Sequence, residues 1–457
     1  MDARPLSRST PALPPGLSWR AALLGLAACA LFAVSLVEAQ DPLIARSAAV
    51  AGTCLVLWLT GLVPPYVPTL LLWMATPLLL QPFGEQFGLT RVLGWSADPV
   101  LVLFLGGFAL GAAATRYGID ATIARAAVGM SRGHRLALVA LTAGTTAVLS
   151  MWMSNIAAAA MMLSALRPLL ADLPEGDPLR RALLLGIALG ADFGGIATPI
   201  GSGPNAIAIS AVSRVHTITF LEWMALALPL SLGLVAASLV WLALRYRLRG
   251  RIDLQLPPRG AALPGARTVV VLFFLTVGAW LTEPLHGLSS ATVALAVTVA
   301  LFGTGLLDRG DLARIDWSTL ILIAGGIGLG RLLEQSGLVR AAADAVPWAD
   351  LSRPVQLLLL TFSAALLSAL MSNTATATML IPLAASLDPA PSTAILIAIA
   401  ASLGIPFVIS TPPNAMVYGE GGLRQSELLT PGLILMILGC LLISATGPFI
   451  LGLMGIP

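Results

Sequence analysis

Long apolar runs alternate along the chain with short polar or proline-bearing interruptions. A crossing of about 30 Å of hydrocarbon takes about 20 residues, fewer where flanking polar side chains reach the interface. By that measure the pattern predicts simple spans over residues 21–36, 47–63, 66–80, 100–114 and 221–244, and again over 268–281, 290–306, 319–333 and 428–453. Four segments do not read as simple spans. Residues 136–166 carry MSNI from Met153 at their middle, preceded by Gly144, Thr145, Thr146 and Ser150, and residues 355–387 carry SNT from Ser372. Small polar residues at mid-depth suit a re-entrant helix–turn–helix whose irregular tip is sheltered by protein. Residues 183–212 are broken by GIATPIGSGPN from Gly195, and 394–418 by ISTPPN from Ile409. There glycines and prolines free backbone groups over roughly two turns, which predicts discontinuous helices.

These landmarks come in pairs and in the same order. MSNIAAAAMML from Met153 answers LMSNTATATML from Leu370, and GSGPNAIA from Gly201 answers STPPNAMV from Ser410. LFLGGFALG from Leu103 resembles LIAGGIGLG from Leu322, and Gly118 and Gly337 follow the two glycine pairs at the same distance. The pattern implies a duplication. Residues 1–46 read as a cytoplasmic tail and a first transmembrane helix that is retained, with no small-residue cleavage site after it. Residues 47–247 form a first repeat, with a hairpin at 134–169 and a broken helix at 180–214. An arginine-rich cytoplasmic linker spans 248–266. Residues 267–457 form a second repeat, with a hairpin at 354–387 and a broken helix at 392–419. With the N-terminus cytoplasmic, roughly three quarters of the arginines fall inside, among them Arg116, Arg125, Arg132, Arg135 and the cluster from Arg245 to Arg251. That solution opens the first hairpin to the inside and the second to the outside, so the repeats are inverted. The expected fold is an all-α polytopic membrane protein, an inverted-repeat transporter with two re-entrant hairpins and two broken helices.

Composition removes the alternatives. With 57% hydrophobic residues, 10% charged residues and a mean hydropathy of +0.91, the 457-residue chain is too apolar for a soluble domain. The net charge of +3 rests on arginine without any lysine, and no basic stripe marks a nucleic-acid partner. Cys29, Cys54 and Cys440 are far apart in apolar runs and read as buried small residues. His134, His216 and His286 are scattered and make no metal set. Trp58, Trp73, Trp95, Trp223 and Trp317 read as interface anchors or packing, and Asp98 and Asp316 as helix caps.

Hairpin tips and helix breaks bring together carbonyls and amides that lack intrahelical partners, which favour a cation and an anion respectively. Serine and asparagine oxygens can join those carbonyls around a hard cation such as Na⁺. The candidates are Ser150, Ser154, Asn155 and Gly201 in the first half, and Ser368, Met371, Asn373 and Ser410 in the second, for at least two Na⁺ sites. Ser154, Asn155, Ser202, Ser372, Asn373, Thr374, Thr411 and Pro412 are the candidates for holding an anionic substrate. Taken singly, any of these residues could instead be a helix-packing hydrogen bond.

At these residues the chain resembles the divalent anion/sodium symporter family, whose marks are SNT twice with GSPPN and TPPN; here they stand as SNI, SNT, GSGPN and STPPN. The resemblance covers nearly the whole chain. It implies a homodimer of eleven-span protomers in a lipid bilayer, an immobile scaffold with an elevator-like mobile part, and Na⁺-coupled uptake of a dicarboxylate, tricarboxylate or sulfate, of which a C4-dicarboxylate such as succinate, malate or fumarate is the expected substrate. It also implies a bacterial inner-membrane location and no organic cofactor. Ile156 stands where the family has threonine, which removes a hydroxyl and points to a smaller or partly apolar diacid. Asp192 precedes the first helix break where the family has an uncharged residue. It could be a proton site, a third cation ligand or a buried, hydrogen-bonded acid facing a watery cavity. The competing functions are Na⁺-independent dicarboxylate or sulfate exchange, a proton-coupled or Na⁺/H⁺ carrier using Asp192, a channel, and an intramembrane enzyme. The last lacks a second aspartate or a base near a serine at comparable depth.

Overall fold

The computed structural model describes residues 41–60, 62–213, 215–253, 263–338, 351–387 and 390–456. The expected tail and first span at 21–36, with Cys29, lie outside them. The described residues are helical almost throughout, and each expected simple span within them falls on a helix: Pro42–Thr60, Val67–Leu80, Pro99–Arg116, Phe220–Tyr246, Ala266–Leu281, Ser290–Gly303, Trp317–Gln335 and Gln425–Leu453. Among the described residues five helices are long and apolar enough to cross a membrane by themselves, the longest being Gln425–Leu453 and Phe220–Tyr246. Large apolar side chains such as Phe274, Leu275, Val299, Leu441 and Phe449 stand exposed on the outer faces, a surface that only hydrocarbon or another protein would cover favourably.

Local chemistry fixes where the helices start. The side chains of Asp98 and Asp316 accept from the amides of Val100 and Thr319 at 2.9 and 3.0 Å, so both act as the caps their positions predict. Thr219 and Glu222 make a reciprocal capping box ahead of Phe220–Tyr246. The four irregular segments also divide as their patterns require. Residues 136–166 split into Arg135–Ser150 and Asn155–Asp172, and 355–387 into Arg353–Leu370 and Asn373–Leu387. The first broken helix consists of Pro178–Gly194 and Gly203–Val212, and the second of Pro391–Ala401 and Pro412–Gly419. One boundary differs from its expectation. The second break opens at Ala401 rather than at Ile409, because Gly404 lies in backbone contact with Ser368 and Ala369 and Pro406 disfavours helix before it.

The paired motifs make paired contacts. A side chain at Gly106 would strike Ala294, and one at Gly325 would strike Thr69, each within 3 Å; these are close crossings of one half's glycine pair on the other half. Gly118 and Gly337 both take positive φ, 64° and 72°, the left-handed geometry that ends a helix cheaply only at glycine. The helices of the two halves interlace at the breaks. Gly203–Val212 packs on the second hairpin's Asn373–Leu387, while Pro412–Gly419 packs on the first hairpin's Asn155–Asp172.

Within the first half, Gly190 and Gly194 let Pro178–Gly194 lie directly on the carbonyls of Ala143 and Ala147, which a side chain at either glycine would approach to 2.4 and 2.3 Å. Small residues of this kind bring membrane helices close enough for backbone contact. Arg180 ties the end of this helix away from the break: its guanidinium donates to the carbonyl oxygens of Leu170, of Leu173 at 3.3 Å and of Glu420 at 2.7 Å. Those acceptors close the hairpin's second helix and the helix after the second break, whose last carbonyls would otherwise be unpaired.

Candidate functional site

Ser150 ends the first hairpin's entering helix and Asn155 opens its returning one, with Ser154 between them as cap, accepting from the Ala157 amide at 3.2 Å. The Ser150 hydroxyl lies 2.7 Å from Asn155 Oδ1 and 2.6 Å from the carbonyl oxygen of Ala191, on the broken helix. Its single proton cannot serve both, so three oxygens converge on one hydrogen. The second half repeats the arrangement. The Ser368 hydroxyl lies 2.7 Å from Asn373 Oδ1 and in short contact with the carbonyl of Ala401, and Ser372 caps the returning helix at the Ala375 amide, 3.1 Å away. Ser150 and Ser368 are fully buried. A cluster with more oxygen acceptors than protons, formed without a carboxylate, is chemistry a hard monovalent cation would complete.

Gly201 and Gly195 press together against this cluster. A side chain at Gly195 would come within 2.4 Å of Asn155 Oδ1 and 2.8 Å of the Gly201 carbonyl oxygen. On the other side Ser410 donates to the carbonyl of Ala369 at 2.7 Å and accepts from the Phe407 amide at 3.0 Å, and Met371 is buried. The first break is stapled to its own hairpin as well, through Thr198, whose buried hydroxyl donates to the carbonyl of Met151.

Asn205 and Asn414, the asparagines of the proline-asparagine steps, hold the broken segments in shape. The Asn205 amide donates to the carbonyls of Gly195, Ile196 and Thr198 at 3.1, 3.4 and 2.8 Å, and Asn414 to those of Ile405 and Phe407 at 2.9 and 3.1 Å. These are carbonyls a helix interruption leaves bare. The motif flags both asparagines, but only the geometry shows that their amides serve the backbone while each Oδ1 stays buried and unpartnered.

The two halves touch across the breaks. Ser202 and Thr411 are the residues just before the resumed helices. The Ser202 hydroxyl lies 3.2 Å from that of Ser402, and Thr411 donates to Asp192 at 3.0 Å. Thr374 rests directly on Gly203, so close that any larger residue there would overlap it. Pro412 is exposed, and Ile156 is 44% exposed; both stand at the outer edge of the cluster. Beside the first hairpin tip opens a cavity of about 420 Å³ reached by Met153, Ser154, Gly111, Arg116 and Asp311. Arg116 closes its rim through ion pairs with Asp311 and, at 2.7 Å, with Asp308. Among the described residues no group of three or more His, Cys, Asp or Glu could bind a transition metal.

Comparison with known proteins agrees with this architecture. The family model described as citrate transporter, CitMHS, matches residues 55–394. An uncharacterized transporter of Haemophilus influenzae is 30% identical over 86% of this chain and 88% of its own. The inorganic phosphate transporter PHO87 of Saccharomyces cerevisiae is 28% identical over 86% of this chain and 45% of its own. A sodium-dependent dicarboxylate transporter, SdcS, of Staphylococcus saprophyticus is 28% identical over 82% and 80%. Among solved structures, the YdaH transporter of Alcanivorax borkumensis, described as having an unusual topology, superposes with a TM-score of 0.58 at 16% identity, covering 85% of this chain and 99% of its own. That likeness bears on the fold alone.

Proposed function

As the chain belongs to the CitMHS citrate transporter family, of the divalent anion/sodium symporter type, and is a membrane transporter rather than an enzyme, we propose that it couples uptake of a small dianion, a C4-dicarboxylate such as succinate, malate or fumarate, to Na⁺. The observation that carries this reading is the repeated serine–asparagine–carbonyl cluster at the two hairpin tips, and the relative named as a sodium-dependent dicarboxylate transporter supports it. One Na⁺ is held by Ser150, Ser154, Asn155 and Gly201, the other by Ser368, Met371, Asn373 and Ser410. With two cations in place, the hydroxyl and amide donors of Ser202, Ser372, Thr374 and Thr411, with the asparagines behind them and Pro412 at the edge, meet the two carboxylates.

Cation binding removes the excess of lone pairs at each tip, and the bound charge in turn makes room for a dianion that the uncharged site would otherwise exclude. A tenfold inward Na⁺ gradient contributes about 1.4 kcal/mol per ion. Two Na⁺ with one dianion move no net charge, and each further positive charge gains about 2.3 kcal/mol per 100 mV. The motion that exposes the site alternately is assigned to an elevator-like part in a homodimer within a bacterial inner membrane, with the N-terminus in the cytoplasm. The 28% identity to a protein named as an inorganic phosphate transporter favours a divalent oxyanion as the second reading.

Uptake into proteoliposomes of labelled succinate, malate, fumarate, citrate, sulfate and phosphate, each with and without an inward Na⁺ gradient, tests both readings. Succinate, malate or fumarate uptake stimulated by Na⁺ is expected. Phosphate alone would install the second reading, and uptake of any of these indifferent to Na⁺ would overturn the coupling.

A further inference from the structure

The stretch RYRLRGRI, from Arg245 to Ile252, alternates a cation with an apolar residue or glycine, and the structure keeps that alternation. Tyr246 and Leu248 are 7% and 8% exposed, in the core that holds the first hairpin, and Ile252 is half-buried against the same core. Arg245, Arg247, Arg249 and Arg251 are all exposed. Apolar side chains hold the segment down while the cations stay outside.

Backbone pairing brings a second group beside them. The Ile252 amide donates to the Gly133 carbonyl at 2.9 Å, and the Arg135 amide to that of Gly250 at 3.2 Å, a single bridge between the linker and the entry to the first hairpin. Gly133 has a φ of 75°, and a side chain there would meet the Ile252 carbonyl oxygen at 2.2 Å, so the contact requires glycine. The bridge adds the exposed Arg132 and the half-buried Arg135. Among the described residues none of these six guanidiniums is in an ion pair. The only carboxylate within 129–136 and 244–253 is Asp253.

These cations stand where apolar helices emerge. Arg245 lies in the last turn of Phe220–Tyr246, a helix able to cross a membrane, and Arg135 opens Arg135–Ser150. Beside them in the chain Leu244 is 75% exposed, Leu136 and Met130 are exposed as well, and Met130 precedes Arg132 by two residues. Apolar side chains that need hydrocarbon are thus rimmed by cations that need an anion, and a phospholipid with a negative headgroup supplies both. Membrane orientation alone asks only that arginines lie on one side. It requires neither the bridge nor the left-handed backbone of Arg132 and Arg247, at φ 48° and 47°, which residues other than glycine seldom adopt.

We propose that this patch binds the headgroups of anionic phospholipids in the leaflet it faces. The guanidinium N–H groups pair with phosphate oxygens, whose geometry they match, and the acyl chains lie along Leu244, Leu136 and Met130. An arginine at an anionic membrane surface strengthens association by about fivefold. Such binding is independent of which solute is carried.

The test is energy transfer from the tryptophans of the purified full-length carrier, in neutral detergent micelles, to phosphatidylglycerol or phosphatidylcholine bearing the same pyrene-labelled acyl chain. The native carrier is expected to prefer phosphatidylglycerol by about tenfold or more at low salt, and the preference to fall as salt rises. In Arg245→Gln/Arg249→Gln/Arg251→Gln the two lipids should differ by less than about twofold, and lysine at the same positions should restore most of the preference. Equal affinity of the native carrier for both lipids, or a preference intact in the glutamine variant, overturns the proposal. Glycerol phosphate that displaces the labelled lipid as well as unlabelled phosphatidylglycerol does would show a site for a soluble anion and overturn it too. Should the glutamine variant not elute as the native carrier does, photoreactive phosphatidylglycerol on the native carrier decides. Labelling within 129–136 and 244–253 that phosphatidylglycerol competes away and phosphatidylcholine does not upholds the proposal. Labelling elsewhere, or competed by both lipids alike, overturns it.

Discussion

Asn155 Oδ1 stands 2.7 Å from the Ser150 hydroxyl across the tip of the first hairpin, and Asn373 stands at the same 2.7 Å from Ser368 across the tip of the second. In both, the serine also faces a carbonyl of the adjoining broken helix. Each serine therefore couples a hairpin to a helix break, and any ligand that draws on one oxygen is felt by the other two.

Ser150→Ala and Ser368→Ala each remove one oxygen and the hydroxyl proton that joins hairpin to break. Loss of one hydrogen-bonding group costs about 1–2 kcal/mol, roughly tenfold in the Na⁺ concentration for half-maximal uptake. Asn155→Ala and Asn373→Ala are expected to abolish Na⁺ stimulation while the protein still inserts and elutes as the native form does. Na⁺ activation curves of the four variants in proteoliposomes check this, and an unshifted curve in both asparagine variants contradicts the assignment.

Gly404→Ala is expected to destabilise the second site from within. Its added carbon would lie 2.5 Å from the Ala369 amide nitrogen and 2.6 Å from Ser368, and backbone cannot yield as a side-chain tip can. A cost of about 1–3 kcal/mol follows. Gly233→Ala, with nothing within 4 Å, gains helix propensity instead. Thermal unfolding in detergent should place the first variant clearly below the native protein and the second level with it or above.

Asn414→Ala strips the donor from the carbonyls of Ile405 and Phe407. Leaving buried carbonyls unpaired costs about 1–3 kcal/mol. Hydrogen exchange over the segment from Ser402 to Thr411 should accelerate in this variant more than in the rest of the chain. Uniform exchange across the molecule would show that the asparagine does not hold the break.

Ile156→Thr supplies a hydroxyl at the first hairpin tip beside Asn155. Competition of succinate, malate and fumarate against labelled substrate is expected to sharpen severalfold. An unchanged competition profile would mean that this position, 44% exposed in the structure, has no part in selectivity.

Much of this was legible in the residues themselves. SNI and SNT interrupt apolar runs at places where a single helix would bury unmatched polar groups, and both runs turn there. The glycine pairs at Gly106 and Gly325 mark matched close crossings, as their repetition suggests. Other features depend on partners distant in the chain. Ala191 and Ala401 contribute only carbonyls, which no residue type advertises. The helix Ile119–Met130, 12 residues long and carrying Asp120 and Arg125, offers no long apolar run and escapes a search for spans.

The central claim is that two oxygen clusters bind two Na⁺ beside one dianion. The most direct test is the Na⁺ concentration dependence of succinate uptake by the native carrier in proteoliposomes, with choline replacing Na⁺ at constant ionic strength. The account predicts a sigmoidal curve with a Hill coefficient above one, and no Na⁺ activation in Asn155→Ala or Asn373→Ala. Succinate uptake that proceeds at the same rate without Na⁺ would contradict it.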